Sequence, residues 1–101
     1  MAEEMSEEPN FQLHAIVEGH VQGVGFRYYV LDRAAELKLC GWVRNTREGN
    51  VEVLAEGPRS TLDKLFDTLH RGPRTALVTA VSQEWLPASG EWAGFNIKPT
   101  V

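Results

Sequence analysis

Gly19-His20-Val21-Gln22-Gly23-Val24-Gly25-Phe26-Arg27 is the stretch on which the fold turns. Before it, Phe11, Leu13, Ala15 and Val17 are apolar at every second position, the period of a half-buried strand. After it the period changes. Phe26, Val30, Ala34 and Leu37 share one helical face, with Asp32, Arg33, Glu36 and Lys38 mostly elsewhere. Three glycines therefore stand between a strand and a helix. Glycine reaches positive φ without strain, which lets backbone N–H groups converge on a small anion. The start of the helix adds its field, and Arg27 adds a planar fork of donors suited to phosphate. The run fits neither G-x-G-x-x-G nor the Walker A pattern, so no nucleotide follows from it.

Working outward, the helix from Phe26 is expected to stop near Cys40, with Gly41 as its C-terminal glycine. Trp42 to Thr46 is short and β-prone. Glu48-Gly49-Asn50 signals a turn, and Val51, Val53 and Ala55 alternate beyond it, which predicts a β-hairpin. Gly57-Pro58 opens a second helix with an apolar stripe at Leu62, Leu65, Phe66 and Leu69, and Gly72-Pro73 closes it. Ala76 to Trp85 reads as a fourth strand, Pro87 to Gly94 as a loop, and Phe95 to Lys98 as a short last strand. The order β-α-β-β-α-β predicts an α+β ferredoxin-like sandwich: an antiparallel sheet with two helices on one face.

The chain of 101 residues is the size of one domain, and its 43% hydrophobic and 24% charged residues are those of a globular protein. Glu3, Glu4, Glu7 and Glu8 supply the excess behind the net charge of −4. Residues 1–9 read as a disordered acidic leader and 10–101 as the folded domain. The remainder is near neutral, which disfavours a nucleic-acid partner. No apolar run is long enough to span a membrane, and the acidic N-terminus lacks the features of a signal peptide. Cys40 is the only cysteine, so no intramolecular disulfide or CxxC motif exists. A cytoplasmic location and a monomeric state are the expectation.

Two side chains stand out as candidates. Arg27 falls in the first turn of a helix, where a cation is mildly unfavourable against the macrodipole. It is either a surface arginine or a partner for an anion in the glycine loop. Asn45 falls near the end of a strand, where asparagine is depleted. It either bonds to local turn backbone or uses its amide to accept from a water and donate to a phosphoryl oxygen. His20 reads as a solvent-facing loop residue, His14 and His70 as surface residues, and Cys40 as a packed thiol. Trp42, Trp85 and Trp92 could stack bases but lack basic company. Glu52 and Glu56 share a strand face, with no spacing that suggests a metal.

Gly19 to Arg27, GHVQGVGFR, and Gly41 to Val53, GWVRNTREGNVEV, together closely resemble the two sequence motifs of the acylphosphatases, and the resemblance spans roughly Phe11 to Ile97. It implies metal-independent, cofactor-free hydrolysis of the carboxyl-phosphate bond of an acyl phosphate. The family's phosphate-binding arginine falls on Arg27 and its water-orienting asparagine on Asn45. The phosphate cradle falls on the backbone N–H groups of His20, Val21, Gln22, Gly23, Val24, Gly25 and Phe26, with Thr46 as an accessory. Gly25 stands where the family varies, which implies a looser loop. The Lys98-Pro99-Thr100-Val101 ending lacks the aromatic or basic terminus of some relatives. Two other readings remain open. One is a non-catalytic ferredoxin-like module that binds phosphate or acyl phosphate. The other is a likeness to the N-terminal domain of hydrogenase-maturation carbamoyltransferases, with carbamoyl phosphate as substrate.

Overall fold

The apolar alternation that begins at Phe11 buries Leu13, Ala15 and Val17 completely, and the strand that carries it runs further than the alternation does. In the computed structural model, which describes residues 8 to 101, β1 spans Asn10–His20. A register shift between Glu18 and Gly19 carries the strand into the start of the glycine run. The other elements follow in order: α1 (Phe26–Glu36), β2 (Cys40–Asn45), β3 (Val51–Pro58), α2 (Arg59–Arg71), β4 (Leu77–Pro87) and β5 (Phe95–Ile97).

The sheet order is β4-β1-β3-β2-β5. The first four strands pair antiparallel, which is the interleaved double β-α-β of the expected ferredoxin-like sandwich. β5 differs by adding to the free edge of β2 in parallel, so the complete sheet is mixed. Phe26, Val30 and Ala34 of α1 and Leu62, Leu65 and Leu69 of α2 pack with Leu13, Ala15, Val17, Val43, Val51, Val53 and Ala55 into one core on one face of the sheet.

α1 ends at Glu36, earlier than expected, and Gly41 is not its terminal glycine. The left-handed residue after the helix is Lys38, with φ 59°. The Leu39 N–H donates to the Ala34 carbonyl at 2.9 Å and the Lys38 N–H to the Ala35 carbonyl at 3.1 Å, a Schellman closure. That closure turns Leu39 back into the core, where it is 3% exposed. Gly41 belongs to β2, and its requirement is close approach: a Cβ there would meet the Leu54 carbonyl oxygen at 1.9 Å.

The hairpin forms where expected. Asn45 faces Val51 as its last pair, and the Thr46 N–H donates to the Asn50 carbonyl at 3.0 Å. At the start of α2, Pro58 offers no side-chain cap. The Glu8 carboxylate fills that role, accepting from the Ser60 N–H at 2.8 Å and the Ser60 hydroxyl at 2.9 Å. The rest of the expected leader, Met1 to Glu7, lies outside the described residues.

The face of the sheet away from the helices carries polar networks. Glu52 accepts from Arg44 and meets His14 Nε2, each at 2.7 Å. Glu56 accepts from Gln12 Nε2, from the Ser89 N–H and hydroxyl, and from the Gly90 N–H, at 2.6 to 3.0 Å. The β4–β5 connection is thereby strapped down. The tryptophans, expected to lack basic company, have it: Lys98 lies 5.4 Å from the ring of Trp42 and 5.0 Å from that of Trp92, and Arg59 lies 3.7 Å from that of Trp85.

Candidate active site

Asn45, Val51 and Val17 form one row across β2, β3 and β1. β1 and β2 therefore run in the same direction with β3 between them, and their C-terminal ends lie at the same end of the sheet. From that end of β1 the glycine loop departs, and there α1 begins. Topology thus brings the loop and Asn45 together although they are distant along the chain.

 Counted along the chain, Arg27 and Asn45 stand 18 positions apart.

Loop shape follows from its glycines. Gly23 has φ 75° and Gly25 φ 79°, and Gly25 is the left-handed residue from which α1 starts, its carbonyl accepting from the Tyr29 N–H at 3.0 Å. Three tethers hold the loop. Val21 is 1% exposed and anchored in the core. The Val24 carbonyl accepts from the Thr75 hydroxyl at 3.0 Å. Gln22 Nε2 donates to the carbonyls of Thr46 and Asn50, each at 2.8 Å.

Between these tethers Gly23 and Gly25 are exposed. Among the described residues, no N–H from Gln22 to Phe26 donates to a protein acceptor. The first turn of α1 has no side-chain cap and no acidic residue. Uncapped helix starts leave several N–H groups unpaired and carry a partial positive charge. α2 shows the contrast, because Glu8 already supplies an anion to its start. The start of α1 is thus the one of the two that is open to an external anion.

Arg27 lies in that first turn, half-buried, and among the described residues it has no ion-pair or hydrogen-bond partner. Asn45 lies two residues beyond Val43 and so faces the helix side of the sheet. Its side-chain amide is half-buried and unpaired among the described residues. Its carbonyl accepts from the Val101 N–H at 3.4 Å, and the Lys98 N–H donates to the Val43 carbonyl at 2.9 Å, so the C-terminal segment borders this end of β2.

Thr46 is 8% exposed, and its hydroxyl accepts from the Asn50 N–H at 3.2 Å, a bond that shapes the turn. His20 is exposed at the end of β1, and His14 is tied to Glu52 rather than free at the surface. No three His, Cys, Asp or Glu side chains cluster as a metal would need among the described residues. A cavity between the helices, lined by Tyr29, Asp32, Arg33, Glu36, Thr68 and Arg71, includes neither Arg27 nor Asn45. Sequence reasoning assigned Gln22 only a backbone role and gave Thr75 none. Gln22 carries the only side-chain amide between His20 and Arg27, and that was the available signal.

The acylphosphatase family profile matches residues 13–97. An acylphosphatase of Pseudomonas paraeruginosa is 51% identical over 86 residues, 85% of this chain and 93% of the relative. One from Nocardia farcinica is 43% identical over 98 residues, 91% of this chain and 98% of the relative. The crystal structure of the Bacillus subtilis acylphosphatase superposes with a TM-score of 0.84 at 40% identity, covering 87% of this chain and 98% of that one. With motifs, fold and relatives in agreement along nearly the whole domain, the chain belongs to the acylphosphatase family.

Proposed function

We propose that the open start of α1, Arg27 and Asn45 together carry out the hydrolysis of an acyl phosphate. The observation that supports this most is the run of unpaired backbone N–H groups from Gln22 to Phe26, leading into an uncapped helix that carries Arg27 in its first turn. Such an arrangement is complementary to the three phosphoryl oxygens. The loop and the guanidinium hold the phosphoryl group, and the Asn45 amide orients a water in line with phosphorus. The water oxygen bonds to phosphorus while the bond from phosphorus to the acyl oxygen breaks, and the electron pair leaves with the carboxylate. Both hydrogens of the water end on the phosphate product. A carboxylate is a good leaving group, so positioning and electrostatic stabilisation carry most of the rate.

Positive charge for the phosphoryl group comes in this reading from Arg27 and the helix start, and no metal is required. The cytoplasmic setting and the monomeric state belong to the same proposal; fractionation and sedimentation test them. Thr46 enters through the turn that follows Asn45.

The test is hydrolysis of benzoyl phosphate with a chelator present, for the wild type beside Arg27→Ala and Asn45→Ala. Each substitution is expected to lower kcat by on the order of 10²-fold or more. Full activity in either variant removes that residue from the mechanism. A folded wild type that binds phosphate without turnover would instead be a binding module.

A further inference from the structure

We propose that Gln22 is a positioning residue, whose side-chain amide sets the distance between the phosphate held by the loop and the water held by Asn45. This inference rests on the function proposed above. The two halves of the site belong to different elements: the loop leaves β1, Asn45 ends β2, and β3 lies between those strands. Among the described residues, no backbone hydrogen bond joins residues 21–25 to the turn at 46–50. The link is made by Gln22, whose Nε2 donates at 2.8 Å to both the Thr46 and the Asn50 carbonyls. Thr46 is the immediate neighbour of Asn45, and its N–H donates in turn to the Asn50 carbonyl at 3.0 Å. Both hydrogens of the amide are therefore committed to the frame that carries Asn45.

Only a donor fits this position, because both facing atoms are carbonyl oxygens. An amide presents its two hydrogens in one plane, matched to two acceptors at once. Val21 holds the loop through the core and Thr75 through a hydrogen bond from the segment before β4, and among the described residues neither makes a hydrogen bond to the hairpin. Without Gln22, the phosphate cradle and Arg27 keep their own structure while their registration against Asn45 is released. In-line attack requires the reacting atoms at roughly 3–3.5 Å, and a displacement of about 1 Å can cost about 10²-fold in rate.

The experiment compares wild type with Gln22→Met and Gln22→Glu. Methionine preserves length and removes both donors. Glutamate sets a carboxylate against two carbonyls, and it regains one donor when protonated. Hydrolysis of benzoyl phosphate is measured with inorganic phosphate as competitive inhibitor. For Gln22→Met, kcat is expected to fall by about tenfold or more. The phosphate inhibition constant is expected to stay within about twofold, because the groups that bind phosphate remain. For Gln22→Glu, kcat relative to wild type is expected to recover as pH falls from about 7 toward about 4.5, where a carboxyl takes up its proton.

A parallel loss of kcat and phosphate affinity would show a merely structural role and overturn the proposal, as would an unchanged kcat. Should Gln22→Met fail to fold, the recovery of Gln22→Glu at low pH decides alone, and its absence counts against the role. A wild type without turnover overturns the proposed function and this inference with it. Turnover by wild type beside an unimpaired Gln22→Met overturns this inference only.

Discussion

Arg27 sits where its own helix opposes it. A cation in the first turn of a helix costs about 0.3–1 kcal/mol against the macrodipole, and α1 provides no acidic side chain there to offset it. On the proposed reading an anionic substrate would remove that conflict, so the placement that weakens the empty site would strengthen the filled one. Glu56 shows the opposite balance. Burial raises its carboxyl pKa, and bonds from Ser89, Gln12 and Gly90 outweigh burial, so it lies below its ordinary value of 4.5. Glu52 is shifted in the same direction, its burial outweighed by His14 and Arg44. In the unfolded chain these groups take up protons first as pH falls below 4.5. Their contribution is complete above that value and is lost as pH drops through the lower native pKa. Glu56→Gln is expected to destabilise the fold by about 1–3 kcal/mol at neutral pH, through donors left without a full acceptor. Its deficit against wild type should shrink in urea titrations below pH 4.5, and a deficit constant with pH would contradict the assignment.

At the scale of elements, the Schellman turn after α1 and the close crossing at Gly41 make opposite demands. Lys38 holds a left-handed conformation that costs an ordinary residue about 1–2 kcal/mol, and its side chain is exposed. Lys38→Gly is therefore expected to be neutral or to stabilise by up to about 1 kcal/mol, part of the gain being offset by the freer unfolded chain. Gly41→Ala would drive a methyl group into the Leu54 backbone and should destabilise by several times that amount. Chemical denaturation of both variants checks the pair. The same turn explains what was and was not legible in the sequence. Period two in β1 and the helical stripes at Val30 and Leu65 identified the elements, because burial of one face dictates those spacings. The end of α1 was misplaced because Lys38 occupies the conformation that glycine advertises, while Gly41 answers to a contact with a strand distant in sequence. β5 was legible as a strand, but its parallel pairing with β2 was not, since three residues carry no record of their neighbour. Within the candidate site, the loop, Arg27 and Asn45 were visible as residue types at telling positions. The amide of Gln22 was not, because its acceptors are backbone carbonyls 24 and 28 residues away.

In the whole molecule, the candidate site lies at one end of a sheet in which only β2 and β3 are neighbours in sequence as well as in space. The row Val17–Val51–Asn45 exists only after three strands have assembled. The loop alone, or the hairpin alone, presents at most half of what an anion would meet. Inorganic phosphate is therefore expected to bind the native chain and not the unfolded one. At a concentration of 100 times its dissociation constant it would raise stability by about 2.7 kcal/mol. Thermal unfolding with and without phosphate measures this, and Arg27→Ala should lose most of the increment; an equal increment in both proteins would place the anion elsewhere.

The uncapped start of α1 then has a consequence for the life of the protein in its host. A helix end left bare for a ligand makes the folded population depend on that ligand's supply. On the proposed reading, scarce phosphate would leave more copies open to proteases, and plentiful phosphate, the product of turnover, would lengthen the survival of the catalyst that made it.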